Sequence, residues 1–177
     1  MSIRRVGAAL VLSALLACGG GKPKPPGGGP LVEATTTAAT VSIRVTGAAE
    51  ITFSGQTQLQ IVVTDAPSLA QNLRFTSVAI PAPIKASGRD FQMGFNLVGT
   101  TGEGRFEIAA PPASPGPGII PSAVYLRIVA PAKVNFDRPS TPCIVELRNH
   151  SRSGSLTCEG LQGDGGKRVG LSMTWSA

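Results

Sequence analysis

The chain has 177 residues, with 16 Lys+Arg, 10 Asp+Glu and a single His, which gives a formal net charge of +6. Apolar residues make up 42% of the sequence, which is enough for one packed core and excludes a wholly disordered chain. The 22 Gly and 15 Pro amount to about a fifth of the residues, a share that favours short strands joined by many turns over a helical protein.

The first 17 residues have the pattern of an export signal. Two arginines precede an apolar run at 6–17, which is too short to cross a bilayer as a helix. The junction Leu15-Leu16-Ala17-Cys18 resembles the lipobox of bacterial lipoproteins. The resemblance implies cleavage before Cys18 and a fatty-acylated (diacylglyceryl, palmitate-type) anchor on its sulfur. The alternative is an ordinary signal peptide that ends at Ala17 and leaves a free thiol.

Residues 18–33 are rich in Gly and Pro and are predicted to form a tether between Cys18 and the folded domain. The Cys-Gly-Gly-Gly start resembles lipoproteins of bacteria with two membranes, especially myxobacterial ones. No Asp follows Cys18, and in lipoproteins of the enterobacterial type, whose sorting rule the resemblance borrows, this implies the outer membrane or the cell surface. The lipid would then be the membrane attachment.

The remaining residues, 34–177, are predicted to form one β-rich domain. Apolar and polar residues alternate there in short runs, the period of a half-buried strand, and Gly- and Asp-containing turns separate the runs. The pattern predicts an all-β fold, a β-sandwich or small barrel of about nine to ten short antiparallel strands. A Pro-rich stretch at 111–121 is predicted as a long loop. The predicted strands centre on 41–45, 51–53, 59–63, 73–75, 91–97, 106–108, 124–128, 145–147, 156 and 169–175.

With the first cysteine lipidated, Cys143 and Cys158 form an even pair, which predicts a disulfide in an exported domain. If the two cysteines face each other on an antiparallel hairpin, paired residue numbers sum to 301, as 143 and 158 do. One face of that hairpin is then apolar and the other mostly polar, around a two-residue turn at 150–151. The turn lacks the usual Asn-Gly sequence, so a longer loop around 153–154 is the alternative.

The C-terminal segments 154–161 and 168–175 resemble the endings of small β-rich bacterial envelope lipoproteins. The shared pattern is Gly-x-Leu-x-Cys-x-x-Leu, a glycine-rich turn and a terminal amphipathic strand. The resemblance implies a location in the envelope and no particular activity.

Catalytic chemistry has few candidate residues. His150 lies in a predicted turn between two arginines, and the sequence has no nucleophile elbow, zinc-ligand cluster or phosphate-binding loop. We therefore expect no enzymatic activity, no metal and no cofactor. The sequence lacks the interleaved basic and aromatic residues that are typical of nucleic-acid-binding proteins, so we expect no nucleic-acid partner. An envelope polysaccharide-acting enzyme is the least favoured alternative and would depend on Asp90, Glu103, Glu107 or Asp137.

The composition and the tether together favour a lipid-anchored envelope protein with a non-enzymatic structural or binding role. The alternative is a carrier of a lipid or another hydrophobic ligand. Its pocket would be lined by Phe91, Met93, Phe95 and Phe106.

Four arginines stand between apolar neighbours in the predicted strands, so their side chains are expected to point away from the core. They are Arg44, Arg74, Arg127 and Arg148. If their strands share one sheet face, the arginines form a basic surface for an anionic glycan or lipid head group. The alternative is that the four arginines simply belong to a solvated outer face. Besides an anionic glycan or lipid, the other expected partner is an envelope protein.

Overall fold

The computed structural model describes residues 31–66, 73–100, 102–110 and 121–177. The predicted signal peptide, Cys18, the tether up to residue 30 and most of the Pro-rich loop lie outside the described residues. The described part is almost entirely β-structure, which confirms the predicted fold class. The strands are β1 (Leu31–Gly47), β2 (Ile51–Ala66), β3 (Leu73–Ala79), β4 (Ile84–Ala86), β5 (Arg89–Val98), β6 (Gly104–Ile108), β7 (Ala123–Ala130), β8 (Val134–Pro139), β9 (Cys143–Arg148), β10 (Ser153–Gly163) and β11 (Arg168–Ser176), with a 3₁₀ turn at Asp164–Gly166.

All pairings between these strands are antiparallel, and eight strands close into a ring. The order is β11-β1-β2-β3-β5-β7-β8-β10, and β10 pairs with β11 to complete it. Strand β10 pairs along one edge with β11, so its other edge holds β9 in the first half and β8 in the second. Strand β6 pairs with β9, and β4 pairs with β5.

One core fills the space inside the ring, because each strand turns its alternate apolar residues inward. Phe91, Met93 and Phe95 of β5 are all fully or almost fully buried in it. Near one end, the rings of Phe95 and Trp175 lie 5.7 Å apart between centroids, which joins β5 to β11 across the core. We call the side of each strand that faces this core the inner face.

The strands differ from the prediction in number and in one boundary. The runs at 51–53 and 59–63 belong to one continuous 16-residue strand, β2, because their polar connection pairs with β1 without a shift in register. Two short strands, β4 and β8, were not predicted, since each buries only one or two apolar side chains. Strand β1 also begins at Leu31, so 31–33 of the predicted tether belong to the sheet.

The predicted cysteine hairpin is confirmed in both its bond and its register. Cys143 and Cys158 form a disulfide, with their Cα atoms 4.3 Å apart and both side chains buried. Strands β9 and β10 pair so that residue numbers sum to 301, for example Val145 with Leu156. The turn is the two-residue version at 150–151, and the longer-loop alternative does not occur.

Candidate functional site: a tight turn, a cleft and an unpaired strand edge

The turn between β9 and β10 holds three consecutive non-glycine residues in the left-handed region. Asn149, His150 and Ser151 have φ angles of 53°, 55° and 66°. The Arg152 N–H donates to the Asn149 carbonyl at 3.1 Å and closes the turn. A left-handed conformation costs a residue with a side chain about 1–2 kcal/mol. Such a turn persists only where the surrounding structure holds it, and residues of this kind concentrate at functional sites.

Neighbouring groups hold this turn from two sides. The buried Trp175 Nε1–H donates to the Ser151 carbonyl at 3.0 Å, and the Ser151 side chain is itself buried. The His150 N–H donates to the Glu103 carboxylate at 3.1 Å. Gly154 lets the indole approach, because a Cβ there would lie 2.6 Å from Trp175 Cζ2 and would also contact the Glu146 carbonyl. The position of the turn is therefore fixed by the core, the disulfide hairpin and a carboxylate.

A cleft of about 310 Å³ lies between this turn and the inner face of the β1–β2 hairpin. Strands β1 and β2 run past the end of β11 here, since the last β1–β11 pair is Thr40 with Ser176. Beyond that point Ala39, Leu59 and Ile61 are still buried in the core, whereas the inner-face side chains Glu33, Thr35 and Thr37 of β1 border the cleft. The cleft is lined by Glu33, Thr35, Thr37, Ile61, Val63, Asn149, His150 and Arg152.

The cleft combines an apolar floor with charges of both signs. Ile61 and Val63 form the floor, Glu33 lies on the β1 side, and His150 and Arg152 lie on the turn side. Among the described residues, neither Glu33 nor Arg152 has an ion-pair partner. The cleft can accept a carboxylate beside Arg152 and a polar or cationic group beside Glu33.

The outer part of β1, from Leu31 to Ala39, pairs with β2 along one edge only. Within the described part of the chain no strand pairs with its other edge. The Ala48 N–H donates to the Arg168 carbonyl of β11, and the β1–β11 register then runs without a shift to Thr40. Since N–H groups alternate sides along a strand, the even-numbered residues of β1 direct their N–H groups to this edge. Within the described residues, Ala34 and Thr36 thus present N–H and C=O groups without partners next to the cleft. Ala38 presents its N–H group there, and its carbonyl accepts a hydrogen bond from the Thr37 hydroxyl at 3.4 Å.

The residues predicted to line an apolar ligand pocket lie on two strands. Phe91, Met93 and Phe95 of β5 are packed in the core, and Phe106 of β6 is partly buried against it. None of them lines the cleft. The carrier hypothesis stays a prediction.

The four arginines of the predicted basic face are exposed but lie on strands that are not neighbours. Arg44 is on β1, Arg74 on β3, Arg127 on β7 and Arg148 on β9, with at least one strand between any two of them. Arg127 Nε donates to Asn135 Oδ1, and Arg148 pairs with the Glu146 carboxylate at 2.9 Å. The structure does not bring the four side chains onto neighbouring strands.

The outer face around Arg44 is almost free of charge. Across β2, β1, β11 and β10, three successive rows of paired residues contain one arginine and otherwise only Ser, Thr and Gln. The rows are Thr52, Arg44, Ser172 and Thr157; Ser54, Ser42, Thr174 and Ser155; and Gln56, Thr40, Ser176 and Ser153.

The four acids considered for catalysis are dispersed. Glu103 accepts the His150 N–H, Asp90 lies 4.0 Å from Lys85 Nζ, and Asp137 pairs with the neighbouring arginine. Glu107 is exposed on β6. In the described ranges, no group of three His, Cys, Asp or Glu side chains is arranged to hold a metal ion.

Comparison with known proteins gives no relative for this fold and cleft: no protein-family model, no curated protein and no solved structure matches the chain. In the described ranges there is also no helix with the length and apolar character needed to cross a membrane.

The cleft residues other than His150 were not singled out by the sequence patterns. Glu33 falls within the predicted tether, and Thr35 and Thr37 show no alternation of apolar and polar residues. The signal that marks this segment is its content of β-branched threonine without Pro or Lys, which favours an extended strand and leaves its edge unprotected.

Proposed function

We propose that this protein is a lipid-anchored module of a bacterial envelope with a non-enzymatic role, and that it binds a protein partner as a strand added to the edge of β1. The observation that carries the proposal is the unpaired edge at Leu31–Ala39 beside a polar cleft. Strand addition supplies affinity through main-chain hydrogen bonds, and neighbouring pockets supply specificity through alternate side chains.

Two features support the envelope location. The junction before Cys18 resembles a lipobox, and the Cys143–Cys158 disulfide is of a kind that persists in oxidising compartments such as the periplasm or the cell surface. A tethered module with a rigid core and an open strand edge is suited to hold another envelope protein close to the membrane.

The anchor is tested by replacing the acylated residue. Cys18→Ala should leave an unprocessed precursor or release the protein into the soluble fraction, whereas Leu16→Ala, at the tolerant position of the lipobox, should keep the mature size and membrane retention. Unchanged size and retention in the Cys18→Ala variant would overturn the anchoring part of the proposal.

The docking edge is tested by photo-crosslinking in intact cells. A photoreactive amino acid in place of Thr36, at the unpaired edge, should give a protein adduct on illumination. The same amino acid in place of Gln56, on the same sheet face of β2, is the matched control and should give none. Absence of a protein adduct at Thr36, or equal adducts at both positions, would overturn the docking proposal.

A further inference from the structure

We infer that the partner at the β1 edge is a second copy of this chain, with the two β1 strands paired antiparallel about a two-fold axis at Thr35. The inference rests on the proposed docking function, because both use the same edge. It adds the identity of the partner, the register of the pairing and the residues that fill the cleft.

The hydrogen-bonding phase of β1 restricts the register. Even-numbered residues present their N–H and C=O groups at the edge, so even residues must pair with even residues across the interface. In a symmetric pair, the axis therefore passes through a residue and not between two. Ala177 limits how far the paired segment can extend toward β11. Its N–H donates to the Arg152 carbonyl, so it continues the line of β11 and occupies the place beside Ala39. A paired segment clear of Ala177 ends at Ala38.

Two axes satisfy these limits with seven paired residues, one at Ala34 and one at Thr35. Charge decides between them. An axis at Thr35 pairs each Glu33 with Thr37 of the other copy, so the carboxylate enters the cleft level with His150. An axis at Ala34 pairs Glu33 with Thr35 and leaves it two residue pairs farther from the turn and from Arg152.

The Thr35 register is also compatible with the other side chains of the segment. Each Glu33 faces a threonine and not the other Glu33, which avoids repulsion between like charges. Thr35 meets Thr35, a favourable hydroxyl pair. The segment has no proline or lysine that would block an edge from pairing. Each copy thus places the Glu33 carboxylate beside the Arg152 guanidinium of the other. Both charges, which have no ion-pair partner among the described residues of one chain, then gain one.

The register is tested with single cysteines in the full-length protein under mild oxidation. Residues opposite each other in a non-hydrogen-bonded antiparallel pair have Cα atoms about 4.5 Å apart, within the range for a disulfide. Thr35→Cys should therefore form a covalent dimer. The matched control Thr37→Cys, on the same face of the strand, should not, because its two copies lie roughly 13 Å apart along the strands.

The charge pairing is tested by reversal and exchange. Glu33→Arg should raise the dimer dissociation constant about tenfold, since two partly exposed ion pairs become repulsive. The double variant Glu33→Arg/Arg152→Glu should restore it to within about threefold of the parent value. Analytical ultracentrifugation in mild detergent measures both. A dissociation constant for the double variant that stays as high as that of Glu33→Arg would contradict the Glu33–Arg152 pairing.

The outcomes separate this inference from the proposed function. A chain that stays monomeric, or that forms a covalent dimer as the Thr37→Cys variant and not as the Thr35→Cys variant, overturns the second-copy pairing. If the Thr36 photo-crosslink then joins the chain to a different protein, the docking function stands without self-association. If Thr36 gives no protein adduct and the chain is monomeric, both fail.

Discussion

Two hairpins of this protein meet at the cleft, and they are stabilised in different ways. The β1–β2 hairpin is long: fifteen residue pairs run in one register from Leu31–Asp65 to Val45–Ile51. The β9–β10 hairpin has five pairs, but it is fastened by the Cys143–Cys158 disulfide and by the indole of Trp175. One hairpin gains its order from the length of its ladder, and the other from a few buried links.

The difference explains which hairpin can hold strain and which can accept a partner. Buried links allow the β9–β10 turn to keep three residues in the left-handed region. Among the described residues, the outer end of the β1–β2 hairpin has no such link, and no strand pairs with one of its edges. The turn of β9–β10 thus forms a rigid wall of the cleft. The edge of β1 forms the opposite wall, and another strand can pair with it.

The largest loss of stability is expected when the covalent link of the short hairpin is removed. The double variant Cys143→Ala/Cys158→Ala should lower the free energy of unfolding by about 3 kcal/mol, because the unfolded chain regains the freedom of a closed loop. Urea denaturation measures the loss, and reduction of the parent protein should reproduce it. An unchanged midpoint would show that the hairpin does not depend on the bond.

A second large effect is expected where Trp175 crosses the short hairpin. Gly154→Ala places a methyl group against the indole and the Glu146 carbonyl, so stability should fall by about 2 kcal/mol. Gly102→Ala is the control, since nothing lies within 4 Å of a Cβ at that position and little change is expected. Equal unfolding midpoints for the two variants would contradict the packing described.

The hydrogen bond to the turn has a smaller expected effect. Trp175→Phe leaves the buried Ser151 carbonyl without its donor and should cost about 1–2 kcal/mol. Glu103→Ala removes the exposed partner of the same turn and should cost about 0.5 kcal/mol or less. The thermal unfolding midpoints of the two variants show which of the two hydrogen bonds contributes more to stability. The reverse order would mean that the turn is held from its exposed side.

The strain in the turn can be relieved without removing its contacts. Ser151→Gly should be about 0.5–1 kcal/mol more stable than Ser151→Ala, because glycine adopts the left-handed conformation without a Cβ penalty. Both variants lose the hydroxyl, so the comparison isolates the backbone. A Gly variant no more stable than the Ala variant would contradict the backbone strain assigned to Ser151.

The smallest effect concerns alkaline pH and lies outside both hairpins. Burial raises the pKa of the Tyr125 phenol above its ordinary value, and the nearby Arg127 guanidinium partly opposes the rise. The unfolded chain then loses this proton first, so the stability from the neutral phenol is present below about pH 10 and falls as the pH rises further. Tyr125 is the only tyrosine, so phenolate absorbance follows it directly, and Tyr125→Phe should abolish the signal.

The sequence predicted the short hairpin in more detail than the long one for a physical reason. Two cysteines that must face each other fix a register, and alternating apolar residues such as Val145 and Leu147 fix the buried face. The outer half of β1 contains mostly Thr and Ala, which favour extension but indicate neither face nor partner. The polar stretch around Gln56 likewise hid the continuity of β2.

The cleft could not be predicted because it depends on topology. Glu33 and Arg152 are far apart in the sequence and are brought together only when β10 and β1 take their places beside β11. The predicted arginine face illustrates the same limit. Alternation correctly places Arg44 and Arg127 on exposed positions, but the strand order separates them.

The account in which two copies pair along β1 is tested most directly by amide hydrogen exchange at Ala34, Thr36 and Ala38, compared between dilute and concentrated protein. The account predicts that these three amides exchange more slowly at high concentration, while Thr35, Thr37 and the β9–β10 amides do not change. The slowing should be lost in the Glu33→Arg variant. Exchange at the three edge amides that is the same at both concentrations, and the same in that variant, would contradict the account.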